Sequence, residues 1–513
     1  MAPRQRARVL TLIVVLGALL RVVPIWFGLP FDRARPDEET AIGHAVAILA
    51  GDRNPHFFHW PSFSFYAFAG SFATASWLHR LAGIDPALSA NEQYLIARGV
   101  GALAGTLTIA VLFALAAEVA DEQTALIAAW FLAIAPLHVR ESHFAMTDVP
   151  ATFFTTVSLT CVLRATRGTA WSFAAAGLAG GLAASTKYTG AIVVTALAAA
   201  VYVRTRHSPN WQWKPDVWTP VLSFAGAFAA GFLIGTPYAV LDWRSFANGV
   251  AFDVTHLSTG HAFLDLGPGW TYHLERSLPY GLGVPVFIAA VVGTIFLARS
   301  HRRPAVVIGS FCFALYACLG PGRTVFFRYV LPIVPLACVS AAVALRRART
   351  LTLALTLVVG LPSFVSSAWL DALLARADSR VLAGRWLGTQ VGAEETLYDA
   401  GGVYAGVSVL GVPGHHWSAE TFDPVQRVFR DSDGRLPDWL VLPDSPLVYG
   451  NVPPELRTLA ADRYALAHVV RATLPGPTRG VYDLQDAFFL PIAGFRGVLR
   501  PGPTVSIFRR ITR

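Results

Sequence analysis

The chain has 513 residues, of which 54% are hydrophobic and 14% charged, with a mean hydropathy of +0.49. That balance excludes a soluble globular protein and points to an integral membrane protein. The net charge of +9 does not indicate nucleic acid as a partner, because the basic clusters are short and punctuate apolar segments.

Arg4, Arg6 and Arg8 precede the first apolar run, 9–29. The sequence PIWFGLPFD at its end holds no small-residue cleavage site, so the run reads as an uncleaved first span. RPDEETAIGHAV (35–46) follows at once and places Asp37, Glu38 and Glu39 at a membrane surface. A helix start needs one acid, so three adjacent carboxylates exceed a cap, and Glu39 is assigned to solvent. FFHWPSFSFY (57–66) has the aromatic texture of an interfacial belt, with His59 the most informative of its polar residues.

Five basic clusters set the topology: the N-terminus, Arg164 with Arg167, Arg204 with Arg206, Arg299 with Arg302 and Arg303, and Arg346 with Arg347 and Arg349. The positive-inside rule puts all five in the cytoplasm. Apolar segments 94–117, 122–138, 149–164, 170–186, 188–204, 217–238, 279–299, 304–320, 325–345 and 350–370 then alternate without contradiction. With the first run they predict about 11 spanning helices. The stretch 61–83 breaks that parity as a single span, so a helix along or dipping into the outer face is expected there. Gly101 with Gly105, and Gly177 with Gly181, are spaced for close helix packing.

Beyond 371 the long apolar runs vanish and strand-like pieces appear, ETLYDA, DWLVL and TVSIFRR. The fold class expected is therefore a polytopic α-helical membrane protein (1–370), with outer-face juxtamembrane helices and a small C-terminal extracytoplasmic α/β domain (371–513). The membrane is the plasma (inner) membrane, with the N-terminus cytoplasmic and the C-terminal domain outside.

This topology gathers polar side chains at one face: Asp37 and Glu38, Asp148 in SHFAMTDVPATFF, Lys187 in STKYTGA, and Arg323 and Arg328 in GPGRTVFFRYVLPIVPL. Asp148 also suits a helix N-cap. Lys187 and Lys214 are the only lysines among 41 basic side chains. An outside lysine runs against the topology bias, so Lys187 reads as an ammonium for a lipid phosphate or as an interfacial anchor. His59, His143, Tyr188 and His261 fall in the same outer loops and are candidates for lining a substrate site. No histidine pair has a metal-ligand spacing such as HExxH, and the four cysteines lie in apolar stretches.

Such a set suits transfer of a sugar from a polyprenyl phosphate to an acceptor hydroxyl. The leaving group is a weak base, so the site needs a carboxylate for the acceptor's proton and cations for the phosphate. Asp37 with Glu38 would supply the first, and Lys187, Arg328 and Arg323 the second. Asp148 would orient the acceptor, polarise it, or share a divalent metal ion with Asp37.

The motifs PDEETAIGHAVAILAGD, HWPSFSFY, SHFAMTDVPATFF, ASTKYTG and FRYVLPIVPL, in that order over most of residues 1–345, resemble those of GT-C-type integral-membrane glycosyltransferases. The resemblance is to the protein O-mannosyltransferase and aminoarabinose transferase branch. It implies an inverting transferase using a polyprenyl-phosphate sugar, with Asp37 as leading catalytic residue, Asp148 as second acid and Lys187 near the donor phosphate. Where relatives carry KPP or HPP, this chain has His59, Trp60 and Pro61, so no lysine role carries over there. The partners implied are the donor, membrane lipids, and an acceptor lipid, glycan or protein. A transporter, or a lipid-linked oligosaccharide ligase or polymerase, is the alternative. The crowding of charge at one edge and the lack of a repeat weigh against transport.

Overall fold

The computed structural model describes residues 2–166, 170–205, 215–262, 264–430, 434–476 and 479–511. Arg167, Arg206 and Lys214, which the sequence reading used, lie outside the described residues. The chain forms two compact units, one of 1–25 with 40–368 and one of 26–39 with 369–513.

The first unit is helical. Among the described residues six helices are long and apolar enough to cross a membrane, and a bent pair, Gly269–Leu282 with Val284–Ser300, adds a seventh. Several other helices, such as Glu122–Ala133 and Ala170–Thr186, are shorter than the bilayer core requires of a straight span. The chain is thus a polytopic helical membrane protein. Helix Phe63–Leu81, in the stretch expected at the outer face, is not among the helices that meet the spanning criterion.

Three of the basic clusters converge. Arg6 pairs with Glu122, Arg164 with Glu118 at 3.0 Å and Arg346 with Asp121 at 3.3 Å. All three acids sit at the turn between helices Ala90–Val119 and Glu122–Ala133, so these arginines share one end of the bundle. Asp148 opens helix Asp148–Ala165 and Arg164 closes it, which puts Asp148 at the other end, ~25 Å away along the axis. Arg21 illustrates how the interior tolerates charge. Its guanidinium donates to the Leu132 and Ala133 carbonyls at 2.9 and 3.0 Å, acceptors left over where Glu122–Ala133 ends.

The expected close packing at Gly177 and Gly181 is present. A Cβ on either would overlap backbone carbonyl oxygens of helix Pro215–Gly235, those of Phe224 and Phe228. Gly101 and Gly105 serve a different contact: they make room for the Ser142 to Phe144 segment rather than for a second helix axis.

The second unit is built on a five-stranded mixed sheet, β1 (Thr396–Asp399), β2 (His415–Trp417), β5 (Trp439–Asp444), β6 (Tyr464–Val470) and β7 (Thr504–Arg510), in the order β2-β1-β5-β7-β6. A short antiparallel pair, β3 (Phe422–Asp423) and β4 (Val428–Phe429), stands apart from it. The three strand-like stretches are β1, β5 and β7. Strand alternation sends Leu397 and Val441 to one face, against Ala383 and Leu387 of helix Ser379–Gln390. Tyr398, Leu440 and Leu442 face the other way, against Leu456 and Ala460 of helix Pro454–Arg463.

Segment 26–39 packs within this unit. Arg35 is wholly buried and its guanidinium donates to Asp486 at 2.9 Å. Phe27 meets Phe488 edge to face, and Arg380, paired with Asp378 at 2.6 Å, lies over the Phe31 ring.

Two predictions follow the packing and the charge. Gly→Ala in a helix ordinarily stabilises by roughly 0.5–1 kcal/mol. Gly181→Ala should instead lower the melting temperature in detergent, while Gly226→Ala, whose Cβ meets nothing within 4 Å, raises it. In β1, desolvation pushes the Asp399 carboxyl from 3.8 up to about 6 against amide donation from Gly401 and Val407. The proton held by the folded state therefore stabilises fully below about pH 3.8 and is lost as the pH rises through 6. Asp399→Asn should flatten the pH dependence of the C-terminal unit's thermal unfolding across that window, read by tryptophan fluorescence.

Candidate functional site

Lys187 sits between helix Ala170–Thr186 and the 3-10 turn Tyr188–Val193, in extended conformation at φ −151° and ψ 132°. That break turns its side chain toward the start of helix Asp148–Ala165, where Nζ meets Asp148 Oδ1 at 2.5 Å. Asp148 does not cap its helix: Thr147 is the N-cap residue, and the Asp148 carboxylate is committed to Lys187 instead. Its Oδ2 lies 3.9 Å from Arg328 Nε. The Asp148 side chain is 3% exposed and Lys187 23% exposed, so the pair is buried on the acid's side and open on the cation's.

The cations rest on rings. Lys187 Nζ is 4.6 Å from the centroid of Tyr329, and the Arg328 guanidinium is 3.9 Å from that of Phe326. Tyr329, Phe326 and Arg328 come from one short stretch around the 3-10 turn Phe327–Ile333, so backbone geometry delivers the arginine and both rings together.

A second wall comes from the amphipathic helix Trp243–Thr259. Phe252 stacks on His59 at 3.8 Å and on His256 at 5.8 Å. His256 meets His261, and His261 meets Phe326, at 5.1 and 5.0 Å. The His59 loop is tied down where Tyr188 donates to the Phe58 carbonyl at 2.8 Å. Burial lowers the His59 pKa, so the ring is neutral near pH 7. On the same helix Asp253 is half-buried, within electrostatic range of Lys187, His256 and His59, and desolvation raises its pKa. Beside this wall opens a cavity of about 450 Å³, lined by His256, Thr259, His261, Leu264, Asp265 and Arg323 among others.

Of the residues singled out in the sequence, Asp148, Lys187, Arg328, His59, Tyr188 and His261 fall in this one set of contacts. Arg323 stands at the cavity, paired with Asp265 at 2.5 Å. His143 is fully buried, with Nδ1 on the Val139 carbonyl at 2.9 Å and its pKa pushed down to about 3 by burial, so it packs in the interior and lines no open surface. Asp37 and Glu38 belong to the second unit. Asp37 has φ 74°, a left-handed conformation that few non-glycine residues adopt, and Glu38 is buried. Glu39, expected in solvent, is half-buried and accepts from Tyr404 at 3.1 Å; desolvation raises its pKa.

Among the described residues no three His, Cys, Asp or Glu side chains are grouped to hold a metal ion, and Asp148 Oδ1 is already taken by Lys187. The donor set around Asp148 thus does not fit a divalent ion.

Asp253, Phe252 and Tyr329 escaped the sequence reading. The signal was present in FDVTH, since Asp253 and His256 stand three apart and so share a helix face, but nothing in sequence tied that face to Lys187.

Residues 62–230 match the family described as dolichyl-phosphate-mannose-protein mannosyltransferase. Among curated proteins none matches the chain by sequence. Among solved structures, ArnT from Cupriavidus metallidurans bound to undecaprenyl phosphate is 14% identical, with a TM-score of 0.56 over 99% of this chain and 98% of that one. The same protein in the apo state is 16% identical, with a TM-score of 0.53 over 97% of each chain. The Archaeoglobus fulgidus oligosaccharyltransferase tethered with an acceptor peptide is 14% identical, with a TM-score of 0.52 over 82% of this chain. The match spans 64% of that protein, less than two thirds of its length. The likeness to ArnT, over nearly the whole of both chains, shows a shared fold, and residues 62–230 carry the family match.

Removing one member of a buried pair leaves the other uncompensated. Lys187→Met should therefore destabilise the protein by on the order of 3 kcal/mol, and adding Asp148→Asn should restore part of that loss. Thermal unfolding of the two single variants and the double variant in detergent reads the coupling.

Proposed function

We propose that the protein transfers a sugar, with inversion, from a polyprenyl-phosphate donor to an acceptor hydroxyl on a lipid, glycan or protein at the extracytoplasmic face of the plasma membrane. In this reading residues 1–370 form the catalytic membrane domain with about 11 spans, the N-terminus is cytoplasmic, and residues 371–513 lie outside. The observation that carries it is the Lys187–Asp148–Arg328 cluster: a buried acid holding two cations at the end of the bundle away from the Arg6, Arg164 and Arg346 pairs.

In the reaction the acceptor oxygen attacks the anomeric carbon as the bond from that carbon to the phosphate oxygen breaks. The acceptor's proton passes to a carboxylate, and the electron pair leaves with polyprenyl phosphate, whose charge grows from one to two. Lys187 and Arg328 meet that charge. An ammonium has three donors, of which Asp148 takes one, so Lys187 can serve acid and phosphate together. Asp37, the leading acid of the resemblance, takes the proton, and its left-handed backbone is the kind of strain that functional sites retain.

The test is release of polyprenyl phosphate, dependent on acceptor, by the purified protein supplied with polyprenyl-phosphate-mannose and related donors. Asp37→Asn should lose about 100-fold or more of turnover while still binding donor, in keeping with loss of a general base. Wild-type turnover in that variant ends the assignment of Asp37, and absence of release with every donor ends the transferase reading. Mass spectrometry of the product separates a monosaccharide transferase from a lipid-linked oligosaccharide ligase or polymerase.

A further inference from the structure

Asp37 stands between two anchored neighbours, and the anchors come from the C-terminal part of the second unit. Two positions before it, Arg35 is wholly buried. One nitrogen of its guanidinium, Nη1, donates both to Asp486 at 2.9 Å and to the Pro36 carbonyl at 3.2 Å. That carbonyl belongs to the planar peptide group leading into Asp37, so Asp486 acts through Arg35 on the orientation of that peptide. Two positions after Asp37, Glu39 accepts from the Tyr404 hydroxyl at 3.1 Å. Glu38, between them, is wholly buried.

A third group joins the two sides. Arg380 is gripped by both oxygens of Asp378, at 2.9 and 2.6 Å. It donates onward to the Tyr404 carbonyl at 2.5 Å and to the Ala34 carbonyl at 3.4 Å. One guanidinium thus braces the backbone just before Arg35 and the residue that holds Glu39. Arg380 and Asp378 are each 1% exposed, so little water competes for these bonds.

Between these braces Asp37 keeps its left-handed φ of 74°. A sparsely populated backbone conformation persists where the surrounding structure over-determines it, and the bonds at Ala34, Arg35, Pro36 and Glu39 do so here. Attachment of the segment alone is served by apolar contact, as where Phe27 meets Phe488. A buried ion pair adds little net stability over such packing, and its distinctive contribution is a defined geometry.

We propose that Tyr404, Asp486 and Arg35 are positioning residues, through which the C-terminal unit holds Asp37 in the backbone conformation that aims its carboxylate at the acceptor. This rests on the reading of Asp37 as the acid that takes the proton. The cations that meet the donor phosphate, Lys187 and Arg328, belong to the other unit, so losing an anchor lowers turnover and spares donor binding. Displacing a catalytic group by about 1 Å can lower the rate ~100-fold.

The test uses the full-length protein in detergent. Tyr404→Phe removes only the hydroxyl that Glu39 accepts from, and Asp486→Asn removes the charge opposite Arg35 while keeping its shape. Each is made alone and together with Asp37→Asn. Release of polyprenyl phosphate, binding of polyprenyl-phosphate-mannose and related donors, and amide exchange of residues 34–39 by mass spectrometry are compared. Should Asp486→Asn fail to fold, Tyr404→Phe decides.

Each single variant should lose about tenfold of turnover, with donor binding within about twofold of wild type and faster exchange at 34–39. On the Asp37→Asn background the same substitutions should remove less than about twofold more, because the group they aim is already gone. General loss of structure would instead multiply with Asp37→Asn. The proposal is overturned by that multiplication, by wild-type turnover in the anchor variants, or by donor binding that falls in proportion to turnover. Exchange needs no catalysis, so unchanged exchange at 34–39 also overturns it. Faster exchange together with no release by wild type, or with full turnover in Asp37→Asn, marks failure of the catalytic reading: the anchors then hold the loop, and the positioning role falls with that reading.

Discussion

The first unit depends on a buried acid. Asp148, 3% exposed at the start of its helix, is a group that a low-dielectric interior tolerates only when compensated, and Lys187 at 2.5 Å compensates it. Holding that ammonium requires a break between helix Ala170–Thr186 and the turn that follows, because a continuous helix would carry the side chain elsewhere. The small residues on the same helix, Gly177 and Gly181, bring helix Pro215–Gly235 within backbone contact and so fix the direction from which the lysine approaches. Gly181 and Lys187, a few positions apart, and Asp148 on a neighbouring helix thus link helix packing to the electrostatics of the cluster.

The same economy operates on the ring side. Phe326, Arg328 and Tyr329 are near neighbours in sequence, so one 3-10 turn supplies a guanidinium, its ring support and the ring beneath Lys187. A ring face attracts a cation without neutralising it, by roughly 0.5–2 kcal/mol. The cations are therefore held in place while their charge stays available to an anion, which a second carboxylate would not permit.

Much of this was legible in the sequence, and the limits are instructive. The apolar runs, the stretches that form β1, β5 and β7, and Asp148, Lys187 and Arg328, which the fold brings together, all carry local signals: hydropathy, alternation, and charge where the membrane disfavours it. What stayed hidden was pairing between remote segments. Arg35 and Asp486 are 451 residues apart, and nothing local marks 26–39 as part of the unit built on 369–513. Glu39 looked like a solvent residue because Tyr404, its donor, is 365 positions away. His143 looked like a lining residue because it shares a loop with Asp148, yet its ring is taken up by the Val139 carbonyl in the interior while Asp148 meets Lys187. Asp253 was overlooked for the same reason, since an acid on an amphipathic helix reads as its solvated face until the partners on other segments are known.

The arrangement also bears on how charge would move during the proposed transfer. A donor phosphodiester carries one negative charge and the departing lipid phosphate two, so the site must stabilise the second charge more strongly than the first if it is to accelerate the step. A cation already saturated by a carboxylate serves poorly, and a cation free of one would bind the donor tightly in its ground state. Lys187 lies between these limits: bonded to Asp148 at 2.5 Å, resting on Tyr329, and open on one side. Asp148 Oδ2 is also 3.9 Å from Arg328 Nε, so as negative charge grows on the phosphate the ammonium can shift its bonding toward it while Arg328 holds the acid. The second cation thereby spares the buried carboxylate from being left uncompensated at the moment the first is drawn away, which is why a site for a departing phosphate has use for an acid and two bases rather than one of each.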